Sequence, residues 1–124
     1  MAGHRFTGWE LDRRQREELL DRFPPKYAEV VADHVTLKFA PGGAGPLPEE
    51  REGEIVGYVD DGRGVEAMVV RIGGTTDRPD GSTYHITWSL GPGRRALESN
   101  DVLKAKGWTA IDPTAVRLEP KGFP

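Results

Sequence analysis

Two of the chain's three histidines open the same short pattern: His34-Val35-Thr36-Leu37 and His85-Ile86-Thr87-Trp88 each set an imidazole two residues before a threonine hydroxyl. On an extended strand, residues two apart share a face and lie about 6 to 7 Å apart. That spacing suits a hydroxyl holding one oxygen of a phosphate while the imidazole addresses another oxygen, or a water, on the same phosphorus. Unperturbed histidine titrates near ~6.5, so two such rings across a cleft can divide the proton transfers of a hydrolysis. Either histidine suits either role. His34 and His85 are thus the candidate acid and base, and Thr36 and Thr87 the candidate phosphate donors, placed where charge builds up at phosphorus. His4 lacks this context and reads as a surface residue.

The two patterns lie in stretches that alternate like half-buried strands. Across residues 31–39, Val35, Leu37 and Phe39 fall on one side and His34, Thr36 and Lys38 on the other. Across residues 83–90, Tyr84, Ile86, Trp88 and Leu90 separate from His85, Thr87 and Ser89 in the same way. Around them the pattern predicts a strand over 5–11 and a helix over 13–23 with an apolar stripe of Leu19, Leu20 and Phe23. That helix is expected to start in a capping box between Asp12 and Gln15 and to stop at Pro24-Pro25. A hairpin is expected over 54–59 and 65–72 about Asp61-Gly62, then a short helix over 100–106 capped by Ser99 and closed by Gly107, and a last strand over 115–118. Six strands and two helices, one longer and one short, give an α+β domain with a mainly antiparallel sheet.

With 124 residues the chain is expected to form one domain, 1–124, large enough for a core without staples. It has no cysteine, which excludes a disulfide scaffold, a thiolate zinc site and a cysteine nucleophile. The sixteen glycines and ten prolines gather between the elements, as in residues 41–48, 60–64 and 73–81, the pattern of loops rather than disorder. No apolar run approaches the roughly 20 residues of a membrane span and no secretory leader opens the chain, so a cytoplasmic location with no membrane partner is expected. A net charge of −3 disfavours bulk capture of a long polyanion, so any nucleic-acid contact is expected to be local. The carboxylates Asp60-Asp61 and Glu49-Glu50 lack histidines at metal-ligand spacing, and no metal or cofactor is expected.

The two quoted motifs resemble those of the 2H phosphoesterases, named for two such histidine motifs on facing strands of a bilobal sheet. Within that superfamily the chain is most similar to the cyclic phosphodiesterase module of fungal tRNA ligases, in Glu98-Ser99-Asn100-Asp101-Val102-Leu103 after the second motif and in the opening Phe6-Thr7-Gly8-Trp9. The resemblance covers residues 6–103. It implies a compact bilobal fold and metal-independent hydrolysis of 2′,3′-cyclic phosphate at an RNA end. In such RNA repair or processing the chain would perform one step, because it has no phosphate loop of a kinase and no ligase domain, and partner proteins would supply the others.

Further substrate contacts are expected at Lys38 and Ser89 on the histidine faces, at Arg94 and Arg95 in the loop after the second motif, and at Trp9 if it stacks on a base, a core or rim position being the equal alternative for that ring. Arg13, Arg14 and Arg16 are expected to pair with Glu17 and Glu18 along their helix rather than to meet nucleic acid. Two alternatives to the RNA-end reading stand beside it. One is a small cyclic nucleotide as substrate, and the other a noncatalytic module that binds a nucleotide or a protein partner in the same cleft.

Overall fold

In the structure, a computed structural model that describes residues 5–39 and 45–124, nine elements succeed one another along the chain. They are β1 (Phe6–Leu11), α1 (Arg13–Arg22), β2 (Glu29–Val30), β3 (His34–Phe39), β4 (Glu52–Asp60), β5 (Val65–Arg71), β6 (His85–Leu90), α2 (Glu98–Lys106) and β7 (Thr109–Phe123). The fold is α+β, with one seven-stranded sheet in the order β2-β6-β5-β4-β7-β1-β3 and antiparallel pairing throughout. His4 and residues 40–44 of the Gly/Pro-rich loop lie outside the described residues.

The seventh strand, β2, lies just ahead of the expected second strand, whose first residues continue along β6 before the chain turns into β3. Residues 29–32 run along β6, with Val31 N–H on the Trp88 carbonyl and Ala32 N–H on that of Thr87, both at 2.9 Å. Ala32 then turns the chain at a φ of 41°, and the Asp33 carbonyl accepts from Leu11 N–H at 2.9 Å, which starts β3 along β1 instead. Only residues 31–33 separate β2 from β3, so the two ends of the strand order meet and β3 is brought up to β6.

Arg16 secures this crossing, its Nε and Nη2 donating to the carbonyls of Ala32 and Val31 at 2.9 and 3.0 Å. Arg13 donates to the Asp33 carbonyl and carboxylate at 3.0 and 2.9 Å. For Arg13 and Arg16 the expected pairing with Glu17 and Glu18 is therefore replaced by tertiary bonds, which satisfy main-chain carbonyls at the crossing that a surface ion pair would leave to water.

The end of the chain also departs from expectation. β7 is fifteen residues long; residues 109–117 pair with β4 and residues 118–123 with β1. One strand thus carries both parts of the sheet. Its prolines look like breakers in the sequence, but Pro113 falls where the β4 pairing is irregular and Pro120 sits opposite Trp9.

Two cores flank the sheet, because successive side chains of β5 point to opposite faces. Met68, Val70, Ile86 and Trp88 join Leu11, Val35 and Leu19 of α1 on one face, with Leu20 and Phe23 half-buried against them. Val65, Ala67, Val69 and Leu90 meet Val102 and Leu103 of α2 on the other. Trp88 ties α1 down, its indole N–H on the Phe23 carbonyl at 2.8 Å. Trp9 is likewise core, 1% exposed, edge-on to Tyr84 and donating to the Glu50 carbonyl at 2.8 Å, so it does not stack on a substrate.

Both helix starts differ from the expected caps in detail. Asp12 accepts from Gln15 N–H at 2.9 Å, but the Gln15 amide reaches β7, donating to Ala115 O and accepting from Arg117 N–H, so the box is half formed. α2 begins at Glu98 without a side-chain cap, and Ser99 lies inside it, fully buried. Gly107 closes α2 as expected, at a φ of 69°.

Candidate functional site

His34, Thr36, His85 and Thr87 line one groove of about 490 Å³, together with Phe6, Phe39, Arg78 and the start of α2 at Ala96, Leu97 and Asn100. His34 and Thr36 alternate with Val35, and His85 and Thr87 with Ile86; since Val35 and Ile86 both belong to the α1 core, the two motifs face away from it.

The alternation that places the motifs ends immediately after them. Between Thr7 and Gly8 the β1–β3 register slips by one residue of β3, and between Glu66 and Ala67 the β5–β6 register slips by one residue of β6. Each bulge reverses the facing of the strand residues beyond it. In β3 it is Phe39, 66% exposed, that lines the groove, and the exposed Lys38 does not. In β6 Leu90 enters the α2 core, and Ser89 turns to Glu66, donating to its carboxylate at 2.6 Å and accepting from Tyr27 N–H at 3.1 Å. Lys38 and Ser89 are therefore not on the histidine side.

Arg94 and Arg95 are also elsewhere. Arg94 bridges Asp61 at 2.9 Å and Glu98 at 3.1 Å, fastening the hairpin turn to α2, and Arg95 is exposed outside the groove. Arg94 is thus engaged by local carboxylates, and Arg95 meets Glu98 through its backbone N–H alone.

The hydrogen bonds of the two rings settle which nitrogen each presents. His85 Nδ1 lies 2.8 Å from the Thr83 carbonyl, which only accepts, so Nδ1 carries a hydrogen and Nε2 is bare in the neutral ring. His34 Nδ1 lies 3.0 Å from Asp33 Oδ2, with the same consequence. His34 also packs against Phe6 and Phe123, at centroid distances of 5.3 and 5.0 Å.

Burial pushes the His85 pKa below the usual histidine value, against the opposing effect of the Thr83 carbonyl; the nearby charges of Arg78 and His34 push it the same way as burial. For Asp33, burial alone would raise the carboxyl, but hydrogen bonds from His34 and Arg13 outweigh it and hold the group below its ordinary range.

The two threonines are not equivalent. Thr87 Oγ1 donates its single hydrogen to Ala96 O at 3.2 Å and so accepts from the buried Ser99 hydroxyl at 2.8 Å, which pins the start of α2. The Thr36 hydroxyl has no hydrogen bond among the described residues and is free to donate.

Arg78 is the groove residue that the sequence pattern does not single out. It sits in the loop before β6, where Pro79, Asp80 and Gly81 form a tight turn closed by Gly81 N–H on the Arg78 carbonyl at 2.9 Å, with Gly81 at a φ of 90°. The available signal was an arginine in a turn shortly upstream of the strand that carries the second motif; it reads as loop punctuation until the turn folds back. Among the described residues no group of three or more histidine, aspartate or glutamate side chains is arranged to hold a metal ion, and no helix is long and apolar enough to cross a membrane. No family model matches the chain, and neither the curated proteins nor the solved structures include a significant match to it.

Proposed function

We propose that the chain is a 2H-type phosphodiesterase of compact bilobal form that opens 2′,3′-cyclic phosphate at an RNA end without a metal. The observation that carries this reading is the convergence of two histidine–threonine pairs from β3 and β6 on one groove, each imidazole held by its Nδ1 so that Nε2 is left for chemistry. The bilobal form is consistent with β7, which is shared between the β4 side and the β1 side of the sheet.

In the proposed reaction His85, kept neutral by burial, takes a proton from water through Nε2. The water oxygen bonds to phosphorus, and the bond from phosphorus to one ribose oxygen breaks. That oxygen receives a proton from Nε2 of His34, which enters the step as the doubly protonated imidazolium and leaves it neutral, its ring oriented by Asp33 through Nδ1. Thr36 donates to a non-bridging oxygen, while Thr87 shapes the floor of the groove through Ser99. Acid, base and anion donors are all side chains, so the sequence of steps needs no cofactor.

A second reading, hydrolysis of a small cyclic nucleotide, is favoured by one observation: Lys38, Arg94 and Arg95 all lie outside the groove, which leaves no basic strip for a longer strand. The test is turnover of the four nucleoside 2′,3′-cyclic monophosphates beside a short RNA with a cyclic end, in the presence of EDTA. Hydrolysis of either supports the chemistry, their ratio chooses the substrate, and binding without turnover would leave only a nucleotide-binding module.

A further inference from the structure

We propose that Arg78 is the anion-binding residue of the groove, its Nη1 holding a non-bridging phosphoryl oxygen while Asp80 and Asn100 fix the guanidinium from behind. The inference rests on the groove being a phosphate site and adds to that reading the residue that selects an anion.

A guanidinium has five N–H donors in a rigid fork. On Arg78, Nε donates to Asp80 Oδ1 at 3.1 Å, and Nη2 donates to Asp80 Oδ2 at 3.0 Å and to Asn100 Oδ1 at 3.2 Å. Three of the five donors are thus engaged. Both hydrogens of Nη1 remain without a partner among the described residues, on a side chain only 10% exposed that lines the groove with His34 and His85. Nη1 is not closed off inside the protein, since Thr7 Oγ1 is the one buried polar side-chain atom without a partner among the described residues, so a ligand entering the groove can accept from it directly.

The support behind the fork is rigid. Arg78 holds the Asp80 carboxyl well below the usual carboxylate range, and Ser82 adds hydrogen bonds from its hydroxyl and backbone N–H. Asp80 therefore stays charged, and its bidentate contact sets the guanidinium plane. The loop is closed onto itself by Arg78 N–H on Ser82 O at 2.9 Å and by a bridge between Asp77 and Thr83. Thr83 is also the residue whose carbonyl holds His85, so the guanidinium and the imidazole share one support. Because Arg78 and Asp80 are neutral as a pair, their pull on an anion is short-ranged and directional. This favours a phosphoryl group seated in the groove over a polyanion steered from a distance.

The test is an NMR titration of the labelled chain with inorganic phosphate, using wild type, Arg78→Gln, Arg78→Lys and Arg95→Gln. The wild type is expected to show saturable shifts of the Arg78 side chain together with both histidine rings. Arg78→Gln should weaken binding about tenfold or more, in line with a charge-assisted hydrogen bond. Arg95→Gln removes the same charge outside the groove and should leave the affinity within about twofold of wild type. A smaller loss in Arg78→Gln, or histidine shifts without Arg78 shifts, overturns the inference, as does the absence of saturable binding. If Arg78→Gln does not fold, the wild-type Arg78 resonances and Arg78→Lys, expected to bind more weakly than wild type, decide the matter. Phosphate held by Arg78 in a chain that turns over no cyclic phosphate would overturn the hydrolase reading alone. Turnover with phosphate affinity unchanged in Arg78→Gln would overturn this inference alone.

Discussion

Gly8 faces Thr36 across the β1–β3 ladder so closely that a Cβ on Gly8 would lie 3.0 Å from Thr36 Cα and collide with the Val35 carbonyl oxygen. The obstacle is backbone on the inner side of the β3 bulge and cannot swing aside. Gly8→Ala should therefore destabilise the fold by about 1–3 kcal/mol, the range of overpacked sites, and displace Thr36. Chemical denaturation together with cyclic-phosphate turnover checks this; an unchanged midpoint would show that the bulge yields.

Asp33 links α1 to the first histidine, receiving Arg13 on one oxygen and His34 on the other. Asp33→Asn keeps the shape but presents either an amide hydrogen or a weaker acceptor to His34. The expected outcome is a fall in kcat of about tenfold with KM little changed, a fraction of the roughly 10²–10⁴ that a general acid contributes. A rise in KM alone would place Asp33 in binding instead.

The depressed pKa of His85 makes stability depend on pH. Between the folded value and the unfolded value near ~6.5, the unfolded chain binds the proton that the folded chain refuses, so stability rises with pH there. Its contribution is complete above that unfolded value and is lost as pH falls through the window. His85→Asn, which retains a donor for Thr83 O, should flatten the slope of melting temperature against pH between about 5 and 7. Asp33, shifted downward, acts in a separate acidic window: its contribution is lost only as pH falls below the ordinary carboxylate range.

Thr36 and Thr87 should separate activity from stability. Thr36→Val removes a hydroxyl with no protein partner among the described residues, and should lower kcat/KM by the ~2.7–4 kcal/mol of a lost anion donor while leaving the melting temperature nearly unchanged. Thr87→Val strands the buried Ser99 hydroxyl, which costs about 1–3 kcal/mol of stability. Thermal melts and kinetics of the two variants side by side test the division; equal melting temperatures would refute it.

The features legible in the sequence are local. Asp12 caps α1, the Asp61-Gly62 turn joins β4 to β5, and each histidine shares a face with its threonine, because these depend on neighbours within a few residues. The features it hid are set by partners far along the chain. Lys38 and Phe39 exchange faces at a bulge defined against β1, and Ser89 and Leu90 at one defined against β5. Trp9, open between core, rim and base stacking in the sequence, is core because Tyr84 and Glu50 close over it, and Arg94 is consumed by Asp61 and Glu98. Arg78 enters the site only because its turn folds back beside Asn100 of α2.

Those rearrangements make the salt dependence of substrate binding a sharp measurement. If Lys38, Arg94 and Arg95 lined the path of a strand, several phosphates would be neutralised, each adding about −0.7 to the slope of log K against log salt. With the three outside the groove and Arg78 lining it, one or two contacts remain and the slope should be no steeper than about −1.4. The exposed Phe39 ring, beside Phe6 at 6.5 Å, offers the adjoining base an apolar face instead, and stacking is insensitive to salt. Phe39→Ala should accordingly raise KM for a nucleoside cyclic phosphate without changing the salt slope. A slope steeper than about −3 in the wild type would mean more than about four phosphate contacts, and would move recognition out of the groove onto a basic track elsewhere on the surface.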